Sequence, residues 1–107
     1  MKMVKICANG AVETVPFTKS LKKLQEHVGG YIQCIHGVIR GKYVILVDEE
    51  GRLKEGRVYN AIATKLSGHV IVGDALLLKE SGMEFRGIDD ALACALAASM
   101  KDGKEVK

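Results

Sequence analysis

Val4-Lys5-Ile6-Cys7-Ala8-Asn9-Gly10-Ala11-Val12-Glu13-Thr14-Val15 is the stretch that sets the fold. Two β-rich runs, residues 4–8 and 11–15, flank Asn9-Gly10. Asn-Gly is the pair favoured in a type I′ turn, whose two central positions both need φ > 0. A hairpin is therefore expected at the start of the chain, with Pro16 ending its second strand.

The pattern then changes to helical. Leu21, Leu24 and Val28 form an apolar stripe, with Lys19, Lys22, Lys23 and Glu26 on the other side. This predicts a helix over residues 19–28, capped by Thr18 and stopped by Gly29-Gly30. Residues 31–35 and 42–47 read as two strands joined through residues 36–41. Asp48-Glu49-Glu50-Gly51 is an acidic turn, and residues 52–57 are a polar loop or short edge strand. A short helix follows over residues 60–66, with Asn60 as its cap and Ser67-Gly68 as its end. Residues 70–73 and 75–79 read as strands interrupted by a bend at Gly73-Asp74. Residues 84–87 add a short strand, and Asp89 caps a last helix running to about Met100. The order ββ-α-ββ-α-ββ-α predicts an α+β fold, a mainly antiparallel sheet with helices packed on it. One domain is expected over residues 1–101, with residues 102–107 as a charged tail.

Composition bounds the function. The chain has 107 residues, enough for one core and too few for two. Hydrophobic residues make up 48% and charged residues 27%, which excludes an intrinsically disordered chain. The formal net charge of +3 falls short of a dedicated nucleic-acid binder. The N-terminus has no apolar run suited to a signal peptide, and the longest apolar stretch, residues 91–98, cannot span a bilayer. A cytoplasmic protein with no membrane partner is expected. Cys7, Cys34 and Cys94 are widely spaced without a C-x-x-C, so buried free thiols are predicted. His27, His36 and His69 do not complete a metal-binding spacing with them. Cys34 and His36 share a strand face, which is half a metal site at most, and no metal is assigned.

Ala91-Leu92-Ala93-Cys94-Ala95-Leu96-Ala97-Ala98 has no polar face. A helix that is apolar all round is normally covered on both sides, which points to a homo-oligomer, with a C2 dimer the simplest form. The plainer meaning is that alanine serves helix propensity and tolerates water.

No catalytic or cofactor motif occurs: the chain lacks G-x-S-x-G, H-E-x-x-H and the phosphate-binding G-x-x-x-x-G-K-[ST]. Asp48, Glu49 and Glu50 have the chemistry to bind a metal, but a turn of solvated acids is the commoner meaning. Asp74, beside Gly73 between apolar strands, is either a turn residue or a general acid or base. Lys19, Lys22, Lys23, Arg40 and Lys42 read as solvated faces, because few aromatics interleave them.

Four phrases occur in succession: Val28-Gly29-Gly30-Tyr31-Ile32-Gln33, Val47-Asp48-Glu49-Glu50-Gly51-Arg52-Leu53-Lys54, Asn60-Ala61-Ile62-Ala63-Thr64 and Val70-Ile71-Val72-Gly73-Asp74-Ala75-Leu76. This succession resembles a family of small proteins of unknown function encoded by phages, plasmids and conjugative elements. The resemblance covers about residues 19–78. Gln33 stands where that family usually has an acid, and residues 55–59 stand where a Pro-containing stretch is common.

Physically, Tyr31 and Gln33 share one strand face, and Asn60 and Thr64 lie one helical turn apart. If Tyr31, Gln33, Asn60, Thr64 and Asp74 converge, they make an aromatic platform ringed by hydrogen-bonding groups, with Arg40 or Arg57 for a phosphate. Taken singly, Tyr31 packs in the sheet, Asn60 caps its helix and Asp74 shapes a turn. Together with the mobile-element resemblance, this set predicts a non-enzymatic accessory protein that sequesters a small nucleotide-like ligand, a host antiviral signal. The alternatives are a protein-interaction module that inhibits a host enzyme, and a metal-assisted nucleotide hydrolase using Asp48, Glu49 or Asp74.

Overall fold

The computed structural model describes residues 1–82 and 84–101, so the charged 102–107 tail lies outside the described residues. The opening hairpin forms, with strands β1 (Lys2–Ile6) and β2 (Val12–Pro16) pairing antiparallel from Ile6 opposite Val12 to Lys2 opposite Pro16. Its turn is not the expected type I′. Gly10 N donates to Cys7 O at 3.0 Å and Cys7 N to Ala11 O at 2.8 Å, and only Gly10 has a positive φ, 94°. The connection is thus three residues long and closed by a left-handed glycine. Asn9 stays out of the left-handed region because its Oδ1 accepts from Ala11 N, an Asx contact.

Helix α1 (Leu21–Val28) starts two residues later than the expected span of 19–28, at the first residue of its apolar stripe. Ser20 is its cap, accepting from Lys23 N, while Thr18 Oγ1 accepts from Ser20 N one step earlier. Leu24 and Val28 are buried and Leu21 is exposed, so the stripe is shorter than the sequence implies. Gly29 ends the helix at φ 87°, as expected of a left-handed stop.

Strands β3 (Ile32–Gly37) and β4 (Tyr43–Asp48) are joined by a single helical turn, α2 (Val38–Gly41), in which Ile39 and Arg40 both take positive φ. A 3₁₀ turn (Gly51–Leu53) follows, then α3 (Ala61–Ser67), β5 (Ala75–Ser81), β6 (Glu84–Arg86) and α4 (Asp90–Lys101). Residues 70–73 make only an isolated bridge, Tyr59 to Val72, instead of a strand.

All strand pairs are antiparallel. The order is β2-β1-β5-β4-β3, with β6 pairing the far half of β5, and the expected α+β architecture is what forms. Along β4, Tyr43, Ile45 and Val47 enter one core while Val44 and Leu46 enter the other; β5 alternates likewise through Ala75 to Leu78. α1 covers one face with Leu24 and Val28. α3 and α4 cover the other with Ala63, Ala93, Leu96, Ala97 and Met100. Because both faces are covered, the central strands read as unbroken apolar runs.

α4 has one buried face and one exposed face, the latter made by Ala91, Leu92, Cys94, Ala95 and Ala98. The thiols differ from expectation. All three are free, but Cys7 and Cys34 are only half-buried and Cys94 is exposed. Among the described residues, no helix is long and apolar enough to cross a membrane.

Candidate ligand site

Where β4 leaves the sheet, Asp48 is drawn inward instead of facing water as part of a solvated acidic turn. Its side chain is 1% exposed. Asp48 Oδ1 accepts from Glu50 N at 3.0 Å. Oδ2 accepts from Lys54 Nζ at 2.7 Å and from Arg57 Nη2 at 2.9 Å. Both cations also reach the end of α1. Lys54 Nζ and Arg57 Nη2 donate to Gly29 O at 2.9 and 3.0 Å, and Arg57 Nη1 donates to Val28 O at 3.3 Å. Cations are well placed there, because a helix C-terminus carries unpaired carbonyls and the negative end of the dipole.

The knot requires backbone without side chains around it. A Cβ on Gly30 would lie 2.6 Å from both Asp48 Oδ1 and Lys54 Nζ. At Gly73 it would lie 2.7 Å from Arg57 Nη1, and φ there is already +90°. Burial pushes the Asp48 carboxyl up and is the largest single influence on it. The Lys54 hydrogen bond, the Glu50 amide and the charges of Lys54 and Arg57 together outweigh burial and hold the carboxyl below its ordinary value. An ionised carboxylate that accepts from two cations and a backbone amide is suited to a structural anchor.

Above the knot lies an open hollow of about 420 Å³. Lys22, Gln25 and Glu26 of α1 form one wall, and Tyr31, Glu50 and Lys54 form the other. Gly29, Gly30 and Asp48 lie between them. The volume falls within the ~300–1,000 Å³ range usual for small-molecule sites. Tyr31 is among the residues that line the hollow and is 69% exposed, so it does not pack in the sheet. Its carbonyl accepts from Glu49 N at 2.7 Å, which fixes the backbone that carries it.

The residues singled out from the sequence do not all meet here. Tyr31 lines the hollow, and Arg57 lies beneath it, already bound to Asp48 and to α1. Asn60 is 1% exposed and bound on every side: Nδ2 donates to Ile6 O and Gly73 O, and Oδ1 accepts from Ala63 N. Thr64 Oγ1 accepts from Ile71 N, and Asp74 Oδ1 accepts from Ala8 N. These three side chains satisfy backbone groups left unpaired where the Gly73 bend, α3 and the first hairpin meet, so they do not join a ligand platform. Gln33 is exposed on β3, and the neighbouring Ile32 and Cys34 pack towards α1. It therefore faces away from the hollow. Arg40 sits in the turn at the other end of the β3–β4 pair, about 17 Å along the strand from Asp48.

Gln25, Glu26 and Lys54 were missed from the sequence, while Lys22 and Glu50 were weighed there and read as solvated. Their signal was faint. Lys22 and Glu26 carry only the ordinary polar pattern of a helix face, and Lys54 announces itself only once Asp48 is known to be buried.

Two of the thiols are held further from the reactive thiolate form. Burial, then Asp74, pushes the Cys7 thiol up; burial, then Glu80, does the same for Cys34. Among the described residues, no group of three or more His, Cys, Asp or Glu side chains is placed to hold a metal.

Three of the four quoted phrases meet at this knot, supplying the α1 carbonyls, Asp48 with Lys54, and the Gly73 bend against Arg57, and the Asn60 phrase joins it only through the Gly73 carbonyl. Residues 1–100 match the domain of unknown function DUF3846. The chain belongs to the DUF3846 family. The match takes in the opening hairpin and most of α4, which lie outside the phrases. No curated protein and no solved structure matches the chain.

Proposed function

We propose that this DUF3846 protein is a non-enzymatic binding module that holds a small nucleotide-like ligand in the hollow between α1 and the turn after β4. The observation that carries the reading is a hollow of small-molecule size lined by the exposed Tyr31 together with Lys22 and Lys54. The buried carboxylate beneath it is bound to two cations and a backbone amide, which suits anchoring better than proton transfer. In the cell the reading extends to a cytoplasmic accessory protein of a phage or mobile element that withdraws a host nucleotide signal. A C2 dimer through the exposed face of α4 belongs to the same reading, and analytical ultracentrifugation tests it.

The protein is incubated with a panel of cyclic nucleotides and ADP-ribose derivatives, stripped of free ligand and then heated. Recovery of intact nucleotide, lost in Tyr31→Ala, supports the reading. Recovery of altered nucleotide replaces it with a hydrolase. No retention favours a protein-interaction module. That second reading has its own support, because Leu21 and Leu53, next in sequence to Lys22 and Lys54, are 60% and 83% exposed.

A further inference from the structure

The hollow gathers charges of both signs. Three cations, Lys22, Lys54 and Arg57, stand in or under it, against three carboxylates, Glu26, Asp48 and Glu50. Two of the cations are already engaged. Lys54 and Arg57 neutralise Asp48 and satisfy the carbonyl end of α1. The negative end of the α1 dipole lies at the same place and opposes incoming anions. Of the three ammonium protons of Lys54, two are directed at Asp48 and Gly29, leaving one for a ligand. Lys22 is exposed and faces the hollow from the opposite wall. Glu26 and Glu50, both exposed, stand beside these two lysines, one on each wall. They accept hydrogen bonds from amino or hydroxyl groups and repel phosphate oxygens.

We infer that the hollow takes nucleotides of low charge, whose phosphates are mono-anionic diesters, and rejects polyphosphates. The diester oxygen lies between Lys22 and the free Lys54 proton, the base stacks on Tyr31, and its amino groups or the ribose hydroxyls donate to Glu26 and Glu50. This inference rests on the hollow being a nucleotide site.

Equilibrium dialysis of cyclic mono- and dinucleotides against the matching 5′-triphosphates, at low and raised salt, tests it. Wild-type protein is expected to bind the cyclic diesters about tenfold or more tightly than the triphosphates at low salt, with the gap narrowing at raised salt. Glu26→Gln with Glu50→Gln, both at exposed positions that leave the knot intact, is expected to narrow the gap by weakening the rejection of triphosphates. Equal or tighter binding of triphosphates by the wild type overturns the charge selection while leaving the nucleotide reading standing. An unchanged gap in the double variant overturns the assignment to Glu26 and Glu50. Binding of neither class removes the nucleotide reading and this inference together.

Discussion

Replacing Asp48 by Asn tests whether the knot at the end of β4 holds α1 in place. The substitution is nearly isosteric and leaves Oδ1 able to accept from Glu50 N. It removes the charge and turns Oδ2, which receives Lys54 and Arg57, into an amide donor facing two cations. Hydrogen bonds to charged groups are worth roughly 1.5–3 kcal/mol each. Removing one partner of a fully buried pair costs roughly 3–5 kcal/mol. Both figures need discounting here. Lys54 and Arg57 are 37% and 23% exposed, and both keep carbonyl partners on Gly29 or Val28. The expected loss is therefore about 2–3 kcal/mol, or about 10 °C in melting temperature for a domain of this size. Its pH dependence has a definite sign. The folded carboxyl lies below its ordinary value of 3.8, so its contribution is full above that value and is lost as the pH falls through the lower folded value. Urea unfolding of wild type and Asp48→Asn from neutral to acid pH should show a constant gap down to about pH 5 and a shrinking one below about pH 4. A variant within about 0.5 kcal/mol of wild type at neutral pH refutes the argument. So does a gap that persists unchanged into acid.

Other positions separate structural from surface roles. Asn60→Ala removes a helix cap and strands the carbonyls of Ile6 and Gly73, and urea midpoints should show a loss of about 3 kcal/mol. Asn60→Asp keeps the cap but aims a carboxylate at two carbonyls, so it should be nearly as damaging; a mild effect would mean that Asn60 only caps. Gly30→Ala drives a methyl group to 2.6 Å from Asp48 and Lys54 and should lower stability by about 2 kcal/mol in thermal unfolding. His36→Ala breaks the His36–Glu80 contact, but His36 is 61% exposed, so chemical denaturation should register less than about 1 kcal/mol.

The backbone was legible in the sequence because its signals are local. Asn60 followed by a short apolar run and Ser67-Gly68 announces a capped helix, and the cap and left-handed stop are where that pattern puts them. Asn9-Gly10 announces a hairpin, although the side-chain contact from Asn9 to Ala11 N changed the turn type. The 3.6-residue pattern of α1 was legible too, but its first member, Leu21, stays 60% exposed. Residues 70–73 carry the strand pattern and still pair only once, because Gly73 bends the chain before a ladder can form.

The site was less legible, for a reason that applies beyond this chain. A polar side chain in a sequence has the same chemistry whether it meets a ligand or an unpaired backbone group. Asn60, Thr64 and Asp74 look like hydrogen-bonding equipment, and they are, but the groups they bind belong to Ile6, Gly73, Ala63, Ile71 and Ala8. Asp48 shows the converse. Among neighbouring acids it looks solvated, and only the distant Gly29 carbonyl and the cations of Lys54 and Arg57 make its burial favourable. Which polar groups remain free for function is fixed by how many orphaned backbone groups the fold creates nearby. Around this knot the fold binds Asp48, Arg57 and Asn60 and leaves Lys22, Tyr31, one proton of Lys54 and the two exposed glutamates facing the hollow. That residue of unpaired chemistry is mixed in charge, and a ligand that matches it must be mixed as well.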